Sequence, residues 1–358
     1  MGIDWSDRAV CVVGVGACTA AGGTWPTSAA SVRAGVGCVA ENPNMIDKNG
    51  EPMLVARAMY LPDNLGGLDR LIGLAAPAAR EALQILPTFS NAARRPLPVL
   101  LGLPAPRPGL TAQFEIEVAE RLRAELSDSV LLEAARTFTS GHSAGLLALQ
   151  QGWLELLSGR CDFCLVGGLD SYLEPETLEW LDDHDQLHSS TTTWGFGPGE
   201  AAGFCLLARE QAAISAGLQH MGRLLAVATA HEESINGSDS ICIGLGLSEA
   251  FGTVLAALPV STDKIDQVVC DMNGDPHRAD EYGFTIARYS ERFRDPSDVI
   301  TPADCWGDVG AASAPLFIGL ITAAALKGYS HGQNSLLWTS SENGQRGAAV
   351  MTNHTSRA

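Results

Sequence analysis

The chain has 358 residues, 46% of them apolar, and a formal net charge of −18 from 23 basic and 41 acidic side chains. This length allows one large domain or two fused halves, and the acidic charge disfavours nucleic acid and anionic membrane surfaces as partners. No apolar run is long enough to span a bilayer, and the first residues lack the apolar core of a signal peptide.

The first part of the chain predicts alternating strands and helices. An apolar run that ends in glycine, residues 9–16, predicts a buried strand. A helix rich in alanine and leucine follows at 70–86, then a strand at 96–103 and a charged helix at 111–126. The glycines after the first strand lack the full spacing of a dinucleotide-binding fingerprint, and no acidic partner follows at the usual distance, so no cofactor is expected.

The segment 140–170 is the most informative part of the chain. A sharp turn that holds His142 and Ser143 leads into an amphipathic helix, which ends at Gly159. A short buried strand at 163–166 and a Gly-Gly turn follow. The turn therefore places His142 and Ser143 at a helix N-terminus, where backbone N–H groups favour the negative charge that develops in acyl transfer.

The second part of the chain repeats this order of elements. The order helix, strand, turn, strand at 143–207 recurs at 310–352, which predicts a duplicated βαβαβαββ unit. With a linker near 212–222, the N-terminal half is residues 1–212 and the C-terminal half residues 213–358. The predicted elements of the second half are strands at 224–229, 267–270, 335–339 and 347–352, and helices at 248–258 and 310–327.

The turn, helix and Gly-Gly strand at 140–170 resemble the nucleophile region of the β-ketoacyl synthases, which are condensing enzymes of the thiolase superfamily. The opening strand and the glycine-rich turn at 195–207, with Glu200, resemble other parts of that family. The resemblance covers residues 8–352 and implies an α/β fold, a thiolase-like five-layered α-β-α-β-α sandwich with two stacked parallel-type sheets. It also implies an acyl carrier protein or coenzyme A thioester as ligand, and a homodimer or a heterodimer with a ketosynthase.

The three catalytic positions of the family carry different residues here. The resemblance places His142 at the position of the family's cysteine, and Asp271 and Asp308 at those of its two histidines. A histidine beside two carboxylates is suited to acid/base chemistry on Ser143 or on a water. We therefore expect altered acyl transfer or hydrolysis rather than condensation. The alternative is a non-catalytic subunit, comparable to a chain length factor, that keeps these polar groups only for shape.

A second motif overlaps the same turn. Gly141-His-Ser-Ala-Gly145 fits the Gly-x-Ser-x-Gly elbow of the α/β-hydrolases. Nothing marks that fold's later aspartate and histidine in order. A serine acyltransferase on a thiolase scaffold combines both signals and is the second candidate mechanism.

The negative net charge of the chain affects whether it can bind an acyl carrier protein. Acyl carrier proteins are acidic and would be repelled by a surface of net charge −18 unless a local basic patch exists. Arg94, Arg95, Arg121 and Arg123 are the candidates for such a patch.

The nine cysteines are spread along the chain, several of them within apolar runs, which predicts buried reduced thiols in a cytoplasmic protein. Cys161 and Cys164 have the C-x-x-C spacing of a redox or metal pair. Residues three apart in a strand point to opposite faces, so this spacing predicts structural thiols and no metal site.

Overall fold

The computed structural model describes residues 9–86, 96–128, 130–258 and 263–353. The strands of these residues are β1 Val10–Thr19, β2 Val39–Ile46, β3 Pro52–Ala56, β4 Val99–Gly102, β5 Arg136–Phe138, β6 Phe163–Ser171, β7 Glu200–Arg209, β8 Gly222–His231, β9 Gln267–Cys270, β10 Val299–Ile300, β11 Asn334–Ser340 and β12 Gln345–Thr352. The helices are α1 Trp25–Arg33, α2 Gly67–Leu83, α3 Phe114–Leu126, α4 Ala144–Leu157, α5 Pro175–Asp183, α6 Glu210–Ser215, α7 Leu245–Leu255, α8 Pro276–Tyr289, α9 Ala303–Trp306 and α10 Ser313–Leu326. None of these helices has an apolar stretch of the length that a bilayer requires.

The strand order confirms the predicted duplication. The large sheet runs β10-β9-β11-β12-β8-β1-β7-β6-β4-β5, while β2 and β3 form a separate hairpin. Counted outward from the centre, the order β8-β12-β11-β9-β10 of one half matches β1-β7-β6-β4-β5 of the other. The strand directions also match: the outer two pairs of each half are parallel and the inner two pairs are antiparallel.

The sheet differs from the expectation in two ways. The two halves are not separate sheets, because β1 and β8 pair over the three residues from Val10 to Val12. Each half is also mixed rather than parallel. The antiparallel strands are covered by helices on both faces, so their sequences are continuous apolar runs. This pattern is usually typical of parallel strands.

Five layers result from the packing of the helices on these halves. Helices α4 and α10 lie in the middle and contact strands of both halves. Helices α2 and α3 cover the outer face of the first half, and α7 and α8 cover that of the second. Alternate residues of each strand therefore face two different cores, as in β6, where Leu165 belongs to the outer core and Val166 to the central one.

The central helices begin in direct backbone contact. A 3₁₀ turn precedes each of them, Gly141–Ser143 before α4 and Gly310–Ala312 before α10. A Cβ atom at Gly145 would lie 2.8 Å from the carbonyl oxygen of Ala311, and one at Gly168 only 2.2 Å from the same atom. Glycine is therefore required at both positions, and the first turns of α4 and α10 pack side by side.

Most elements lie where the sequence pattern predicts them, but several do not follow from it. Strand β2 contains Pro43 and is largely exposed, and β3 is only five residues long, so no alternating pattern marks the hairpin. Helix α5 is a short acidic segment, and α6 (Glu210–Ser215) overlaps the predicted linker. The boundary near residue 212 stays a prediction.

A buried ion pair ties α2 to the start of β7. Arg70 donates from Nε and Nη2 to the two carboxylate oxygens of Glu200, at 2.7 and 2.6 Å. The backbone N–H of Ala58 and the hydroxyl of Ser171 donate to the same carboxylate. Both charged side chains are buried. Glu200, which the sequence pattern matched to a family glutamate, thus holds three segments together.

We expect Glu200→Ala to lower the free energy of unfolding by about 3–5 kcal/mol, because it leaves the Arg70 charge buried without its partner. Urea unfolding followed by circular dichroism measures this change. The matched control is Asp63→Ala, which removes an exposed carboxylate from Arg57 and should change the free energy by less than about 1 kcal/mol. Equal effects of the two substitutions would contradict the prediction.

Candidate functional site

The structure brings His142 and Asp308 into direct contact. His142 is the middle residue of the 3₁₀ turn before α4, and Asp308 precedes the 3₁₀ turn before α10. The contact of the two first turns places His142 Nε2 2.8 Å from both carboxylate oxygens of Asp308. Both side chains are buried. This pair is therefore a product of the central helix packing, across 166 residues of sequence.

Asp308 also caps the first turn before α10. Its Oδ1 accepts a hydrogen bond from the N–H of Gly310 at 2.8 Å, and its Oδ2 accepts one from Asn273 Nδ2 at 2.5 Å. Burial acts to raise the pKa of Asp308, but His142, Arg278 and the N–H of Gly310 hold it well below its usual range. Asp308 is therefore an ionised carboxylate with every oxygen engaged, and part of its role is to stabilise a helix terminus.

Arg278, on α8, is the central residue of the site and was not among the predicted catalytic residues. Its Nη2 lies 3.3 Å from His142 Nδ1 and 3.2 Å from His142 Nε2. Its Nη1 donates to Asp271 Oδ2 at 2.6 Å, and its Nη2 to Glu342 Oε1 at 3.0 Å. Asp271 therefore reaches His142 through Arg278 and not directly.

A local signal for Arg278 does exist in the sequence. Asp275 accepts the N–H of His277 at 2.9 Å as the N-cap of α8, and Pro276 is the first helical residue. An Asp-Pro pair after a buried strand marks a helix start, so Arg278 follows in the first turn. The sequence does not indicate that this first turn faces His142.

Asp271 lies directly after β9 and is buried. Its Oδ2 accepts the N–H of Ser340 at 2.9 Å in addition to Arg278, while its Oδ1 has no partner among the described residues. Burial raises the pKa of Asp271, against the opposing effect of Arg278. A cavity of about 10 Å³, lined by Asp271, Asp308, Trp306 and Phe317 among others, lies beside it and has room for about one water.

The protonation of His142 decides what chemistry it can do. Burial and Arg278 act to lower the pKa of His142, but the carboxylates of Asp308 and Asp271 outweigh both and raise it. His142 therefore stays protonated to a higher pH than a free histidine. A protonated imidazole has no lone pair with which to take a proton from a hydroxyl or a water.

Ser143 is adjacent in sequence but faces a different part of the structure. Its Oγ lies 3.1 Å from the carbonyl oxygen of Thr339 and 3.0 Å from that of Gln345, and it accepts the hydroxyl of Thr339. Its backbone N–H donates to Ser341 Oγ at 2.7 Å. The structure thus joins Ser143 to β11 and β12 and does not bring its hydroxyl to His142.

A further buried group offers metal-ligand atoms. Glu232, Cys242 and Glu281 each present one such atom, all within 4.8 Å of one another. Both oxygens of Glu281 are already engaged, however, since Arg346 Nε donates at 2.5 Å and Ser340 Oγ at 2.6 Å. The guanidinium of Arg346 already neutralises the negative charge of Glu281, so this carboxylate attracts a metal cation less.

The fold is that of the ketosynthases. The chain is similar to a structure described as a type II PKS acyl-carrier protein in complex with its ketosynthase bound to the hexaketide, with 14% identity, a TM-score of 0.77, and coverage of 98% of this chain and 100% of the other. The ishigamide ketosynthase/chain length factor gives 20% identity, a TM-score of 0.68, and coverage of 97% and 100%. A β-ketoacyl synthase from Burkholderia phymatum gives 14% identity, a TM-score of 0.75, and coverage of 97% and 100%.

The sequence comparison agrees over a shorter segment. Residues 134–213, which include the turn at His142, match the family model of the β-ketoacyl synthase N-terminal domain. No curated protein matches the chain. The resemblance to the β-ketoacyl synthases is therefore confirmed, as a family match around His142 and as a thiolase-like fold over nearly the whole chain.

We expect Asp308→Asn to lower the pKa of His142, because it removes the negative charge that holds the proton on the imidazole. The titration of the His142 Cε1–H signal in NMR measures this pKa. The control is Asp304→Asn, which removes an exposed carboxylate that bonds Thr301 and should leave the pKa of His142 unchanged.

The same pair affects stability. The folded-state pKa of His142 is raised, so the contribution of the His142–Asp308 pair to the free energy of unfolding is fully present below about pH 6.5. This contribution is lost as the pH rises through the folded-state pKa. The free energy of unfolding of the native protein should fall over this window, and that of Asp308→Asn should fall less. A His142 pKa that is the same in Asp308→Asn as in the native protein would show that the pair is not what holds the proton.

Proposed function

We propose that this protein is a non-catalytic ketosynthase-like subunit, comparable to a chain length factor, that works beside an active ketosynthase. The observation that carries the proposal is that two candidate reactive atoms at the nucleophile turn, His142 Nε2 and Ser143 Oγ, are already bonded within the protein. A subunit of this kind needs the shape of the condensing-enzyme fold but not its chemistry.

The bonding at the turn supports this reading atom by atom. His142 Nε2 contacts the Asp308 carboxylate, and the guanidinium of Arg278 lies against both ring nitrogens. The Ser143 hydroxyl bonds backbone carbonyls of β11 and β12. Nucleophilic catalysis needs a nucleophile within reach of a base that can take its proton. The adjacent cavity of about 10 Å³ is also far smaller than the several hundred Å³ of a typical ligand pocket.

The negative net charge of the chain also favours a complex in which the partner ketosynthase, and not this chain, binds the acyl carrier protein. Of the four arginines that could attract an acidic carrier protein, Arg121 is paired with Asp69 and Glu125, Arg123 is exposed, and Arg94 and Arg95 lie outside the described residues. With a net charge of −18, the chain is a poor docking surface for an acidic protein. In the proposed complex the active ketosynthase supplies that surface and the thioester chemistry.

The His142–Asp308 pair favours the second candidate, altered acyl transfer or hydrolysis of an acyl thioester, because a histidine held by a carboxylate is a common acid/base arrangement. The two functions differ in whether an acyl group is transferred to the protein or to water. That difference can be measured directly.

We expect no acyl mass on His142 or Ser143 after incubation with acyl-coenzyme A and acyl-carrier-protein thioesters, measured by mass spectrometry of the intact chain and its peptides. An active ketosynthase treated in parallel provides the positive control for acylation. His142→Gln and Ser143→Ala should match the native protein in thioester hydrolysis. An acyl adduct on either residue, or hydrolysis that is lost in His142→Gln, would favour the second candidate instead.

The edge strand β5 is the best candidate for the pairing surface. It ends the large sheet, and its partner among the described strands is β4. The N–H of Leu103 donates to the carbonyl of Phe138 at 2.8 Å, so the backbone groups of Phe138 face β4 and those of Thr137 face outward. An exposed edge of this kind can accept a strand from a second subunit.

Thr137→Pro should abolish dimer formation, whether with a second copy or with a ketosynthase, because it removes the outward N–H. Thr137→Ala is the matched control: it loses the hydroxyl bond to Glu115 but keeps that N–H, and should pair normally. Sedimentation velocity of each variant, alone and mixed with a co-expressed ketosynthase, measures the pairing. Unchanged pairing of Thr137→Pro would exclude β5 as the interface.

A further inference from the structure

A cavity of about 340 Å³ lies between the β2–β3 hairpin and the segment that follows α5. Its volume is within the range of small-molecule pockets, and none of its lining residues belongs to the site at the nucleophile turn. Its wall contains no lysine or arginine and holds four carboxylates, which are those of Glu41, Asp47, Glu51 and Asp182. The cavity therefore has the size of a ligand site and a negative potential.

Hydrogen bonds fix the tip of the hairpin to the end of α5, which gives the cavity a defined shape. The backbone N–H of Lys48 donates to Asp182 Oδ2 at 2.6 Å, and Lys48 Nζ donates to the carbonyl of Asp182 at 3.0 Å. Lys48 Nζ also donates to the carboxylate of Asp185. On the other side of the tip, Asn49 Nδ2 donates to Thr191 Oγ1 at 3.0 Å. The ammonium of Lys48, which does not line the cavity, is thus already bonded.

Asp182 presents a carboxylate oxygen without a partner in the cavity wall. The residue is only 8% exposed, and its Oδ2 is engaged by the N–H of Lys48. Its Oδ1 accepts no hydrogen bond from any of the described residues. Asp47, the other buried carboxylate of the wall, differs because its Oδ1 accepts the N–H groups of Asn49 and Glu51. Since a buried acceptor without a donor costs free energy, Asp182 Oδ1 is the atom at which a ligand's donor would bind.

The other groups of the wall fit the same kind of ligand. His188 Nδ1 donates to the carbonyl of Thr193 at 3.1 Å, which leaves Nε2 of the neutral imidazole as an acceptor. Met53 and Leu187 are buried and belong to the apolar cluster that joins the hairpin to α5. The cavity thus offers acceptors and negative charge over an apolar floor. This combination fits positively charged donors that are joined by apolar segments.

A bare divalent cation does not fit the spacing of these carboxylates. Such an ion needs several oxygen ligands within about 2.6 Å of itself, so the ligand atoms must lie close together. Among the described residues, a group of three ligand atoms within 4.8 Å of one another occurs elsewhere, at Glu232, Cys242 and Glu281. The carboxylates of the cavity are spaced more widely, as several separate ammonium groups would require.

We propose that this cavity binds a linear aliphatic polyamine. One ammonium group donates to Asp182 Oδ1, and the others lie toward the exposed carboxylates of Glu41 and Glu51. The methylene segments between them lie on Met53 and Leu187. An ammonium group has three donors and forms charge-assisted hydrogen bonds with carboxylates, which are stronger than bonds between neutral groups.

The test is equilibrium dialysis of the full chain against radiolabelled spermidine. The native protein should bind spermidine at a single site, and Asp182→Asn should weaken this binding by about tenfold or more, because a hydrogen bond to a charged group contributes that much. Asparagine keeps an acceptor for the N–H of Lys48, so the contact of the hairpin remains. The matched control is Glu179→Gln, which removes an exposed carboxylate of the same helix outside the cavity and should bind as the native protein does.

A second variant covers the case in which Asp182→Asn folds poorly. The double substitution Glu41→Gln and Glu51→Gln removes two exposed carboxylates and should also weaken binding. The absence of spermidine binding by the native protein would overturn the proposal. Equal binding by the native protein and the cavity variants would overturn it too, since it would show attraction to the net charge of −18 alone. So would displacement of spermidine by calcium ions at equal concentration, which would indicate a metal site.

Discussion

The contact between the first turns of the two central helices is the constraint on which the site depends. Glycine at 145 and 168 lets the backbone of α4 and β6 approach the carbonyl of Ala311. A side chain at 145 would push the turn before α10 away from α4, and one at 168 would push it away from β6. With the helices in contact, His142 and Asp308 lie within hydrogen-bond distance. The pairing of the two halves and the geometry of the site are thus one structural feature.

Once the turns are in contact, the buried charges at the site must balance one another. Arg278 supplies one positive charge and His142 a second when it is protonated, and Asp271, Asp308 and Glu342 supply three negative ones. The one excess negative charge costs little free energy, because the side chain of Glu342 is 61% exposed to solvent. The first turns of the two central helices are thus joined by an ion network, and satisfied buried networks of this kind make the surrounding structure rigid.

The residues of this network could be predicted only in part. His142 and Asp308 follow from a gapless or nearly gapless match to a known active-site order, and Asp271 from its place after a buried strand. Arg278 was not predicted, because its role depends on which way the first turn of α8 faces. The hydroxyl of Ser143 was expected near His142. It instead lies against β11 and β12, since adjacent residues of a tight turn point in different directions.

The sequence by itself determined the duplicated order of elements, because local hydrophobic periodicity and glycine stops encode it. The thiolase-like architecture and the place of His142 at the turn followed from the resemblance to the β-ketoacyl synthases. Tertiary structure alone decided that β1 and β8 join the halves into one sheet, that Arg278 links Asp271 to His142, and that the Ser143 hydroxyl lies against β11 and β12. The physical reason is that each of these depends on the direction of a side chain or a strand edge relative to a distant segment. No local pattern in the chain carries that information.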